Sequence, residues 1–71
     1  MSEKIVAELA ANVWKVLVAE GATVAEGDTL VVLESMKMEI PMIAEVSGTV
    51  ASLAVTEGAV VEEGDLICEI S

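Results

Sequence analysis

Lys37 stands between two methionines and close to two carboxylates, in the run Glu34-Ser35-Met36-Lys37-Met38-Glu39-Ile40. In a 71-residue chain with only three basic residues, its primary amine is the reactive group with the most unusual setting. The other ingredients of catalysis are missing or scattered. There is no histidine, which excludes imidazole acid–base catalysis, Ser-His or Cys-His nucleophiles and histidine-ligated metals. Thirteen acidic residues are spread over strand and turn positions, and nothing marks two of them as a catalytic pair. Cys68, the single cysteine, excludes an internal disulfide and suits a reducing cytoplasm. With no cationic neighbour in sequence to activate its thiol, it reads as a small apolar core residue. The composition therefore predicts no self-contained enzyme and no metal site.

The net charge of −10 restricts the partners. Phosphate recognition needs a basic patch, so nucleic acid is not expected, and anionic membrane surfaces are disfavoured for the same reason. Proteins with basic or neutral docking surfaces, met transiently and with salt-sensitive rates, remain. The longest stretch without a charge, Val46 to Thr56, falls well short of the roughly 20 apolar residues of a spanning helix. The start, Met1-Ser2-Glu3-Lys4, reads as no signal peptide, so a cytoplasmic location is expected. High charge also predicts a monomer.

The elements that position Lys37 emerge from an internal repeat. Shifted by 37 positions, Glu20-Gly21-Ala22-Thr23-Val24-Ala25-Glu26-Gly27-Asp28 aligns with Glu57-Gly58-Ala59-Val60-Val61-Glu62-Glu63-Gly64-Asp65, with seven of nine positions identical. The same gapless offset pairs Val13 with Val50, Val16 with Leu53, Leu33 with Ile70 and Val31 with Cys68. Residues 1–71 thus read as one domain of two half-repeats, about 4–34 and 41–71, joined by a hairpin over 35–40. Short Val/Ile/Leu segments punctuated by Glu-Gly and Glu-Gly-Asp predict strands at 3–9, 13–18, 29–35, 38–44, 49–55 and 66–70. Gly21, Gly27, Gly58 and Gly64 are assigned to turns that need positive φ, with Asp28 and Asp65 bonding local backbone. Pro41 is expected to help start the strand after the hairpin.

Two like halves, each apolar on one face, are most simply closed by packing face to face. The fold class is all-β, a flattened antiparallel barrel or sandwich with approximate twofold symmetry and few exposed edges. That symmetry puts Lys37 at one end of the domain and the chain termini at the other. Met36-Lys37 becomes a two-residue hairpin tip, where Asn-Gly or Gly-X is preferred and neither Met nor Lys is suited. Glu34 faces Glu39 across the hairpin, a like-charge pair. Local rules fail here and succeed elsewhere, the mark of a functional position. A merely solvated lysine, with methionines filling core gaps, is the competing reading. In strand 13–18 the spacing of Val13, Val16 and Val18 predicts a bulge that leaves Trp14 partly exposed.

The run Glu34-Ser35-Met36-Lys37-Met38 resembles the E-A-M-K-M attachment motif of biotinyl domains, and the duplicated Gly-Asp segments resemble the biotinyl/lipoyl fold over essentially the whole chain. Among these, the short, free-standing biotin carboxyl carrier-like proteins of bacteria are the nearest in organisation. The resemblance implies biotin in amide linkage to Lys37, attached by a biotin protein ligase that recognises Glu34, Met36 and Met38. A lysine ammonium becomes nucleophilic only on losing a proton, so the ligase must help remove it. It further implies a carrier role between a biotin carboxylase and a carboxyltransferase. Ser35 replaces the motif's usual alanine, and Ala11-Asn12 stands where many members have Pro-Gly. The gapless repeat leaves no room for the thumb insertion of many acetyl-CoA carboxylase carriers. Lipoyl domains, which usually carry Asp-Lys-Ala at this turn, are one alternative within the fold; an unmodified acidic interaction domain of the same fold is the other.

Overall fold

The structure, a computed structural model, describes residues 3–71, and the reading of Met1 and Ser2 lies outside them. Eight strands follow one another: β1 (Glu3–Val6), β2 (Ala11–Val16), β3 (Thr23–Val24), β4 (Thr29–Ser35), β5 (Met38–Ile43), β6 (Gly48–Leu53), β7 (Val60–Val61) and β8 (Leu66–Ile70). They form two antiparallel four-stranded sheets, ordered β1-β8-β6-β3 and β5-β4-β2-β7. The arrangement is a sandwich and not a closed barrel, so β1, β3, β5 and β7 remain as edges, more than the sequence suggested.

The repeat governs the hydrogen-bond register. Leu33 lies opposite Ile40 in β4–β5, and Ile70 lies opposite Glu3 in β8–β1. Val13 is opposite Leu33, as Val50 is opposite Ile70. Each of these pairs is carried onto its counterpart by the 37-residue offset. The bulges repeat too: register shifts between Val13 and Lys15 in one half, and between Val50 and Ser52 in the other. Each sheet thus contains strands of both halves, because β7 completes the sheet of β2 and β3 completes that of β6.

Turns are tied by the acidic residues that punctuate the sequence. Asp28 Oδ2 accepts the Ala25 N–H at 2.9 Å, and Asp65 Oδ2 accepts the Glu62 N–H at the same distance. Gly27 and Gly64 take φ of 95° and 90°, conformations that side-chain-bearing residues adopt only at a cost. Carboxylates also tie the halves together. Glu57 Oε2 accepts the Val16 N–H at 3.2 Å, and Glu20 Oε2 accepts the Leu53 N–H at 3.1 Å.

The core lies between the sheets and is aliphatic. Leu30, Val31, Leu33, Ile67, Cys68 and Ile70 are fully buried. No charged or polar side chain is buried among the described residues. Each such aliphatic side chain contributes roughly 1.5–3 kcal/mol by leaving water. Cys68 replaces Val31 in the second half without changing that burial, as its alignment predicts.

Several strand limits differ from expectation, each for a local reason. The strand expected over 3–9 stops at Val6, because Ala7 bonds to the turn instead. Its N–H donates to the Asp65 carbonyl and its carbonyl accepts the Gly64 N–H, both at 2.9 Å. Ala44 does the same with Asp28 and Gly27, so the strand expected over 38–44 ends at Ile43. The strand expected over 13–18 runs from Ala11 to Val16, and that over 49–55 runs from Gly48 to Leu53. Pro41 does not start β5. It sits inside the strand, opposite Val32, and is tolerated there because β5 is a sheet edge.

The chain end and the hairpin tip lie at opposite ends of the domain. Ser71 exchanges two hydrogen bonds with Thr49, which lies opposite Thr23. A tight turn over 25–28 then carries Val24 to Thr29, the start of β4. From there β4 climbs about 20 Å to Ser35, at roughly 3.3 Å per residue. The longest dimension of the domain is 33 Å.

Candidate functional site

The hairpin β4–β5 ends in a two-residue turn, with Ser35 opposite Met38 and Glu34 opposite Glu39. Met36 and Lys37 form the turn with φ of 51° and 68°. Both lie in the left-handed region, as a type I′ connection requires and as Asn-Gly would adopt without strain. Among the described residues they are the only non-glycines at positive φ. A position of this kind costs on the order of 1–3 kcal/mol, which the paired strands on either side must sustain.

The strain has a geometric result. Lys37 is exposed, Met36 is 91% exposed and Met38 is 60% exposed, so three long side chains stand out from one end of the sandwich. Neither methionine fills a core gap. The competing packing reading of Met36 and Met38 is thereby removed. Two large apolar side chains in water beside a lysine form a small contact surface around an accessible amine.

Glu34 is half-buried on the outward face of β4, between Glu39 on one side and Asn12 of β2 on the other. The structure thus brings all four sequence-selected residues, Glu34, Met36, Lys37 and Met38, to one end of the molecule. Asn12 escaped sequence reading because it was placed in the loop before the strand. The offset that aligns it with Thr49, already a strand position, was the signal that could have found it. Trp14 occupies the bulge, 45% exposed, with Lys15 Nζ 5.6 Å from its ring centroid.

The site is thus an exposed lysine at positive φ on the tip of a duplicated antiparallel β-sandwich. The sequence model of the biotin/lipoyl family, described as "Biotin-requiring enzyme", matches residues 2–70, and the chain belongs to that family. Among its relatives, a biotinylated protein TB7.3 homolog of Mycolicibacterium smegmatis is 58% identical over 43 residues, covering 61% of each chain. A biotin/lipoyl attachment protein of Bacillus subtilis is 47% identical over 36 residues, 51% of this chain and 49% of that one. Among solved structures, the urea carboxylase of Kluyveromyces lactis superposes over 100% of this chain and 6% of its own, with a TM-score of 0.91 and 34% identity. A single-chain, multi-domain long-chain acyl-CoA carboxylase covers 99% of this chain and 7% of its own, at the same TM-score and 36% identity. The matched segments span about half to three-fifths of the smaller relatives and a small fraction of the carboxylases.

Proposed function

We propose that Lys37 carries biotin in amide linkage and that the domain moves carboxylate between a biotin carboxylase and a carboxyltransferase. The observation that carries this reading is the tip itself. Its amine is exposed, flanked by two exposed methionines and far from the chain end. Family membership supports the cofactor, and the likeness to domains within two carboxylases supports the carrier role.

The residues of the tip fit such a group. The deprotonated Lys37 amine attacks an activated acyl carbon presented by a biotin protein ligase, forming the amide as the adenylate leaves. Met36 and Met38 give the ligase apolar contact on either side of the amine, and Glu34 offers a carboxylate to its basic groups. The type I′ turn holds Lys37 clear of the domain surface, so the amine enters a partner's cleft without rearrangement of the sheet. When bound, biotin supplies a ureido nitrogen that accepts and releases carboxylate. The chain itself contributes attachment, reach and recognition, and the catalytic groups belong to its partners. Its charge of −10 favours basic docking surfaces and salt-sensitive encounter rates.

Intact-mass measurement and streptavidin capture of protein from ligase-containing cells test the reading. One biotinyl mass increment, lost in Lys37→Arg, is the expected result. A lipoyl increment on Lys37 would replace biotin by lipoate within the same family, and an unmodified chain would leave an acidic interaction domain.

A further inference from the structure

The two sheets are built to one plan, yet their outward faces differ in a consistent way. On the Lys37-bearing sheet, Pro41 of β5 lies opposite Val32 of β4, which faces Lys15 beside Trp14 in the β2 bulge. This apolar row crosses three strands, and Val60 of β7, opposite Asn12, lies one outward level nearer the tip. The repeat places Lys4, Glu69, Ala51 and Thr23 at the corresponding positions of the other sheet. There, Lys4 lies opposite Glu69, where Pro41 lies opposite Val32. The fold therefore accepts polar or small residues at all four places, and the apolar row is no requirement of packing. Trp14 is 45% exposed and Val60 71% exposed. Lys15 Nζ lies over the Trp14 ring, 5.6 Å from its centroid, within cation–π range.

Resting on the attachment reading above, we propose that this apolar row is the docking face for the ligase that modifies Lys37. Amide formation brings the Lys37 amine itself to bonding distance, so the modifying enzyme must press against the tip. A specific interface covers about 800 Å² on each partner. A two-residue tip cannot supply that area, so the footprint spreads down one flank of the hairpin. The inner flank is occupied, since Leu33 is fully buried and Ile40 packs against the core. The outer flank is open and carries the row, bordered toward the tip by Glu34 and Glu39, which share the level of Val60. An apolar strip bordered by carboxylates calls for an apolar surface with a basic rim. A second copy of this chain, at −10 with three lysines, offers no such rim and is repelled.

The test compares initial rates of biotin transfer to the whole chain by a biotin protein ligase, with the carrier as the varied substrate. Trp14→Ala combined with Val60→Thr installs the residues that the other half uses at these positions. The expected result is a KM raised about tenfold with kcat unchanged, the pattern of lost docking. Val60→Lys, a single change at an exposed edge position, should raise KM as well by opposing the basic rim. Thr23→Val with Ala51→Trp on the opposite sheet should leave KM as it was. Unchanged KM in both row variants overturns the proposal, as does an equal rise in the opposite-sheet variant. A KM that rises only with a biotin carboxylase assigns the row to that enzyme and overturns the ligase assignment. Failure of the wild-type chain to take biotin instead overturns the attachment reading, a separate outcome.

Discussion

Glu34 lies directly opposite Glu39 in the hairpin that carries Lys37, two carboxylates sharing one cross-strand pair. Like charges so placed repel, at a cost of a few tenths of a kcal/mol up to about 1 kcal/mol. Glu39→Gln should raise the stability of the domain by about 0.5 kcal/mol. Urea denaturation at low and high salt checks this: the gain should shrink as salt screens the pair in the wild-type chain.

The tip itself should show a conflict between stability and use. Met36→Asn places a residue that tolerates the left-handed region where Met is strained at φ 51°. Stability should rise by about 1 kcal/mol. Biotin labelling of Lys37 should slow, because an apolar contact beside the amine is lost. Denaturation curves paired with labelling rates measure both effects; labelling at the wild-type rate would remove Met36 from the recognition surface.

Gly48 is needed for space and not for its φ. A Cβ built there meets the Ser71 carbonyl oxygen and comes within 2.9 Å of Ile70 Cγ2. Backbone cannot yield as a flexible side chain does, so Gly48→Ala should cost about 1–3 kcal/mol. The thermal midpoint checks this.

Burial raises the Cys68 thiol above its ordinary value of 9.0. The folded chain therefore holds this proton at pH values where the unfolded chain has released it. Stability is complete below the unfolded thiol's pKa and declines as pH rises through the alkaline range toward the folded value. Cys68→Val, which installs the residue the first half has at position 31, should remove that component of the decline. Urea midpoints between pH 8 and 10 or so, measured for both chains, provide the comparison.

Much of this architecture was legible because the chain is written twice. β4 and β8 were bounded correctly at 29–35 and 66–70, where Val, Leu and Ile run continuously between turn residues. The αL tip followed from two-residue hairpin geometry, and the exposure of Trp14 from the irregular spacing of Val13, Val16 and Val18. The two-residue strands β3 and β7 were missed. Thr23-Val24 and Val60-Val61 sit between glycine turns and become strands only by pairing with the other half. Ala11 and Asn12 were likewise left out of β2, since neither favours a strand by itself and pairing with β7, joined at Asn12 by Glu34 of β4, draws them in. Local pattern described the elements within each half. The exchange of strands between halves is a tertiary fact that local pattern does not carry.

The pairing of Ile70 with Glu3 in the same register as Leu33 with Ile40 makes the backbone a ring cut at one of two equivalent corners. Six residues, 34–39, close the intact corner. Joining Ser71 to Met1 through three added residues would give the cut corner the same span. A second lysine placed in that linker at the position equivalent to 37 would yield a circular protein with one lysine-bearing tip at each pole. The same symmetry makes an opening elsewhere in the ring a route to circular permutants whose order of strands changes while every cross-strand pair is kept.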